Sequence, residues 1–225
     1  MKHLVFGDIH TRLDLVCALI EKAQKENLKL LSVGDIFHGP NGRLGLDCFD
    51  LLVKEGCQFI ASNHDFIHVL YLKAIEEGLS PEDAVRAADF HCKHLPNGDD
   101  KLERIKREVQ AEIEVIGEER LNLISSFPFS RHFGDIFIYH AKPGEGLDAI
   151  DDADAFWQQV IKGELCLNGT VVVGHEGDFA KQYNKMIFEQ KQGRVIALDL
   201  KAKKGGNVGY IVIDENNEII EIGKF

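Results

Sequence analysis

Seven residues of this 225-residue chain have types that could do chemistry together: Asp8, His10, Asp35, Asn63, His64, His140 and His175. Taken singly, each has an ordinary structural role. An aspartate or asparagine after a strand forms a turn or caps a helix, and a histidine satisfies a backbone carbonyl. Taken together, Asp8, Asp35, Asn63, His10, His140 and His175 make two carboxylates, one carboxamide and three imidazoles. That is a set of oxygen and nitrogen donors without a thiolate, which suits manganese, iron or zinc.

Residues so distant in sequence can meet only if the fold brings them to one place. Short apolar runs predict strands at Leu4 to Phe6, Lys29 to Val33, Cys57 to Ala61, Ile136 to Tyr139 and Thr170 to Val173. The seven residues fall just after the ends of these five runs. In open α/β sheets, ligands bind at the carboxyl ends of the strands, so five loops can deliver side chains to one site. Between the first two runs, Leu13, Val16, Ile20 and Ala23 recur at helical spacing, and Leu44 to Val53 does the same before the third. The first third of the chain therefore reads as a βαβαβ unit.

From Phe66 to about Leu123 the pattern is helical, and Ser80-Pro81-Glu82-Asp83 reads as a helix start with an N-cap, a proline at the first position and an acidic capping partner. A further helix is expected around Ala155 to Ile161. Strands follow at Arg194 to Leu198, Val208 to Ile213 and Glu218 to Ile222, the last two joined by a turn at Glu215-Asn216-Asn217.

Composition narrows the class. Hydrophobic residues are 44% and charged residues 28%, the balance of a folded chain, and the net charge is -11. That acidity argues against nucleic acid as a general partner, because phosphate-backbone binding needs basic residues. The five cysteines are scattered without a C-x-x-C pair, which fits reduced thiols. With no signal-peptide core and no membrane-length apolar run, a cytoplasmic location is expected. His91 and His94 lack further ligands nearby and are read as surface or packing residues.

Gly7-Asp8-Ile9-His10, Gly34-Asp35, Asn63-His64-Asp65, His140-Ala141 and Gly174-His175 resemble, in order and approximate spacing, the motifs of the calcineurin-like metallophosphoesterases. The chain is most similar to the branch of Ser/Thr protein phosphatases and symmetrical dinucleoside tetraphosphate hydrolases, and the stretch from Asp199 through Gly205-Gly206 to Val208 resembles that branch's closing strands. The resemblance implies an α/β fold, a layered β-sandwich flanked by helices, with a helical insertion after the third strand. It implies a single domain over 1–225 with a cap-like helical segment at about 66–125. It also implies two divalent transition metal ions, first of all manganese, with iron or zinc as alternatives. Asp8, His10 and Asp35 would hold one ion; Asp35, Asn63, His140 and His175 would hold the other, with Asp35 shared. His64 would protonate the leaving oxygen.

The implied activity is two-metal-dependent hydrolysis of phosphate esters, first a phosphomonoesterase of the Ser/Thr phosphatase type, second a symmetrical dinucleoside tetraphosphate hydrolase. The expected partner is accordingly a phosphoprotein or a nucleotide-like small molecule. A third reading is a metal-binding scaffold without turnover, because the chain departs from the motif Gly-Asp-x-x-Asp-Arg-Gly. Here His38 stands in place of the second aspartate and Gly39 in place of the phosphate-clamping arginine. Arg43 is the nearest substitute clamp, with Arg12 and Lys142 behind it. Thr11 and Ser62 replace usual glycines, and Gly177 stands where nuclease-like members carry a second histidine.

Overall fold

The computed structural model describes residues 1–38, 43–150, 153–175, 177–183 and 185–225. In chain order the strands are β1 (His3–Phe6), β2 (Lys29–Ser32), β3 (Gln58–Phe59), β4 (Ser130–Phe133), β5 (Ile136–Tyr139), β6 (Cys166–Val173), β7 (Ile187–Glu189), β8 (Gln192–Ala197), β9 (Asp199–Leu200), β10 (Asn207–Ile213) and β11 (Ile219–Lys224). The helices are α1 (Leu13–Glu26), α2 (Leu46–Lys54), α3 (Asn63–Glu76), α4 (Pro81–Ala88), α5 (Asp100–Ile116), α6 (Glu118–Ser125), α7 (Asp154–Lys162) and α8 (Gly177–Tyr183). They form two compact units, one of Met1–Ser62 with Pro128–Phe225 and one of Asn63–Phe127.

The first unit holds both sheets. One has the order β11-β10-β1-β2-β3, with β9 added on β10; the other has the order β4-β5-β6-β8-β7. Strands β1, β2 and β3 run parallel through the crossovers α1 and α2, and β5, β6 and β8 are parallel to one another. This α/β sandwich is the architecture expected from the sequence.

Side-chain alternation explains why the layers stack as they do. In the second sheet, Ile138, Val172 and Ile196 join Val5, Leu31, Val33 and Ile211 of the first sheet in one core between the layers. Their neighbours Val171, Val173, Val195 and Ala197 point the other way and pack with Trp157 and Val160 of α7. A strand buried on both faces reads as a continuous apolar run, which is how Val171 to Val173 reads. On the first sheet, α1 buries Leu15, Val16, Leu19, Ile20 and Ala23 and ends at Asn27, whose left-handed conformation caps the helix.

The second unit is helical and has its own core of Tyr71, Ala74, Ala84, Val85, Leu102 and Val109. Ser80 caps α4 as anticipated, accepting the Asp83 N–H with Pro81 at the first helical position. Asp99 does the same for α5, accepting from Lys101 and Leu102. Among the described residues, no helix is long and apolar enough to cross a membrane.

Candidate metal centre

Asp8 and His10 follow β1, Asp35 follows β2, His140 follows β5 and His175 follows β6. Four strand ends from two sheets therefore supply five side chains, and these meet in two overlapping groups: Asp8, His10 and Asp35, and Asp35, His140 and His175. Asp35 belongs to both, one oxygen to each. Its Oδ2 lies 3.8 Å from His10 Nε2, and its Oδ1 lies 3.4 Å from His140 Nε2. His140 Nε2 is also 3.1 Å from His175 Nδ1, and His10 Nε2 is 4.0 Å from Asp8 Oδ2.

Backbone strain aims these side chains. His10, Asp35 and His175 all adopt positive φ, of 45°, 51° and 65°, a conformation that non-glycine residues adopt at a cost and that clusters at functional sites. Local hydrogen bonds hold it. The His10 N–H donates to the Asp35 carbonyl at 2.9 Å, the Asp35 N–H donates to Ser62 Oγ at 2.9 Å, and the His175 N–H donates to Asp8 Oδ2 at 2.9 Å. A methyl group at Gly34 would lie 2.3 Å from Ser62 Cβ, and one at Gly174 would lie 2.1 Å from Asp8 Oδ1. The glycines before Asp35 and His175 are thus required by close approach.

The donor chemistry fits metal ions. Asp8 is fully buried and Asp35 is 2% exposed, and buried carboxylates need pairing or a coordinated cation. His140 does not supply that charge. Burial pushes its pKa below the ordinary imidazole value, outweighing the opposing pull of Asp35. With its Nδ1 2.8 Å from the Val33 carbonyl oxygen, a neutral His140 donates there and turns the Nε2 lone pair into the cluster. A backbone carbonyl orienting a histidine in this way is the usual support of a metal ligand.

Neither a family profile nor a curated protein matches the chain. Solved structures do. A provisionally assigned diadenosine tetraphosphatase superposes with a TM-score of 0.56 and 16% identity, covering 99% of this chain and 93% of that one. A metallophosphoesterase from Sphaerobacter thermophilus superposes with a TM-score of 0.55 and 16% identity, covering 100% and 88%. The chain shares the fold of that metallophosphoesterase.

Within this metallophosphoesterase fold the remaining expected site residues are placed as follows. Asn63 and His64 are the first two residues of α3, directly after Ser62, and open the helical unit. Arg43 is exposed in the segment before α2, while Gly39 and Pro40, which replace the clamp motif, lie outside the described residues. Arg12 is committed elsewhere. Its guanidinium binds the Asp14 carboxylate at 2.6 and 2.8 Å and reaches the carbonyls of Ala202 and Gly206 at 3.4 and 3.3 Å, so it is a structural tie and not a substitute clamp.

Two supporting residues were not legible as such. Ser62, which reads as a mere loop change, accepts the Asp35 N–H across 27 residues. Asp199 is 6% exposed and accepts the N–H groups of Gly177 and Lys201, both at 2.7 Å. Desolvation pushes its pKa up, against the lowering effect of those two bonds. A Cβ at Gly177 would sit 2.7 Å from both Asp199 oxygens, which is why no histidine stands there.

Proposed function

We propose that the chain is a two-metal-dependent phosphoester hydrolase. The observation that carries this reading is the division of the Asp35 carboxylate, with one oxygen toward His10 and the other toward His140, as a ligand shared by two cations requires. Asp8 and His10 complete one set, and His140, His175 and, by resemblance, Asn63 complete the other. Manganese is the first candidate metal, with iron or zinc also suited to these donors. Two divalent cations held there would supply a nucleophile from water at neutral pH and would neutralise phosphate oxygens during in-line displacement.

The chain's own residues do the rest. Asp35 and Asp8 hold charge in a buried site, His140 is fixed as a neutral donor by Val33, and His64 protonates the leaving oxygen. Arg43 is the available guanidinium for the phosphate, four residues beyond Gly39. The scaffold reading without turnover is disfavoured because the whole ligand set and His64 are present.

Motif resemblance points first to a phosphomonoester on a protein Ser or Thr. Symmetrical cleavage of a dinucleoside tetraphosphate is the second reading, supported by similarity to the diadenosine tetraphosphatase structure along nearly the full length of both chains. A manganese-supplemented panel of phosphopeptide, dinucleoside tetraphosphate, aryl monoester and diester separates them. Phosphopeptide turnover well above the others supports the first reading. Two nucleoside diphosphates formed in preference to all other products support the second. No turnover of any member contradicts both.

A further inference from the structure

A second concavity is lined by none of the residues of the ligand cluster. Residues of α8, β7, β9, β10 and β11, with the segments beside them, line an open cavity of about 730 Å³, within the size range of small-molecule pockets. Four lysines line it: Lys185, Lys201, Lys204 and Lys224. No carboxylate stands among the described residues that line it, although the chain has 37 acidic residues against 26 lysines and arginines. In a chain of net charge -11, such a concentration of ammonium groups in a concave, partly apolar wall focuses positive potential and selects an anion.

The same cavity has an apolar side. Met186, Leu200 and Ile222 are part of its wall, and a methionine adapts its shape to a planar or irregular body. Asn207 is exposed at the start of β10 and also lines the cavity. Its carboxamide offers both a donor and an acceptor. Three glycines, Gly205, Gly206 and Gly223, open the remaining wall to the backbone. An inorganic anion would use only the lysines. A ligand that uses all three features carries phosphate charge, an apolar face and a polar edge with mixed donors and acceptors.

We propose that this cavity binds a nucleoside diphosphate, the phosphates on the lysines and the base between the apolar wall and Asn207. Two lysines are partly engaged within the fold, Lys201 with Asp178 and Lys185 over the Phe188 ring at 4.7 Å. Lys204 and Lys224 are exposed and supply most of the electrostatic attraction. The cavity shares the 199–201 segment with the support of the metal cluster, since Lys201 follows Asp199 by two residues and Asp199 holds Gly177.

Isothermal titration of the 225-residue chain as purified, with α,β-methylene-ADP as a probe whose bridging carbon resists hydrolysis, tests this. Saturable binding, tighter than that of pyrophosphate or adenosine alone, is expected. The double variant Lys204→Glu/Lys224→Glu should weaken it by roughly tenfold or more, as loss of charge-assisted contacts predicts. The distant exposed Lys54→Glu should leave it unchanged, and aryl phosphate hydrolysis by the double variant should match the wild type. Absence of saturable binding, equal affinity for pyrophosphate, or an unaffected double variant would overturn the proposal. So would a parallel loss of hydrolysis, which would move the lysines into the hydrolytic site. Because the probe is not cleaved, a wild type that hydrolyses nothing would count against the hydrolase reading and leave this measurement standing.

Discussion

At Asp35 two demands meet: a buried carboxylate must be neutralised, and two groups of donors must be joined. Its oxygens face His10 and His140 separately, whereas a carboxamide in its place offers one neutral oxygen and a pair of hydrogens pointing at imidazoles. Asp35→Asn is therefore expected to retain fewer than two metal equivalents and to lose activity with them. His64 is proposed for a different task, and a proton donor would contribute nothing to metal affinity. His64→Asn should keep both metals while turnover falls about 100- to 10,000-fold for an alkyl phosphate. For an aryl phosphate, whose leaving group scarcely needs a proton, the fall should be much smaller. Metal analysis with steady-state kinetics on both substrates checks the pair. Equal defects for the two leaving groups would make His64 a phosphate-positioning residue instead.

The elements position these residues through their carboxyl ends, and the glycines just after β2 and β6 leave no room for a side chain. Gly174, between β6 and His175, leaves no room for a methyl group beside Asp8 Oδ1 and Val33 Cγ2, at 2.1 and 2.8 Å. Gly174→Ala should preserve the circular dichroism spectrum, cost about 1–3 kcal/mol of stability as an overpacked core does, and reduce metal content by displacing Asp8. Wild-type metal content in that variant would contradict the placement of Asp8. The strands that carry the ligands were legible because each is a buried apolar run ending at a polar motif, as Ile136 to Tyr139 is before His140. Strands β4 and β7 were not. Both lie at the edges of their sheet, and β4, Ser130-Arg131-His132-Phe133, buries neither of its central residues, so it carries no period-two signal. Helix α8, seven residues long, is too short for helical periodicity to show. The roles of Ser62 and Asp199 were hidden for another reason: each acts on a backbone N–H more than 20 residues away, at 27 and 22 positions, a pairing that only the folded chain displays.

For the molecule as a whole, net charge -11 and a pair of buried carboxylates set the terms on which metal and phosphate enter. Under the proposed function, cations would be drawn in by the general field and a phosphate ester repelled until the cations are in place, so metal binding should precede substrate binding and be required for it. The central claim, that one shared carboxylate organises a two-metal hydrolytic centre, is tested most directly by measuring bound metal and phosphoester hydrolysis on the same sample through chelation and reconstitution. Two equivalents of divalent transition metal per chain are expected. Hydrolysis should disappear as they are removed and return when manganese or a similar ion is restored to that stoichiometry. Full hydrolysis by a chain demonstrably free of metal, or full activity at a single equivalent that a second does not raise, would contradict it.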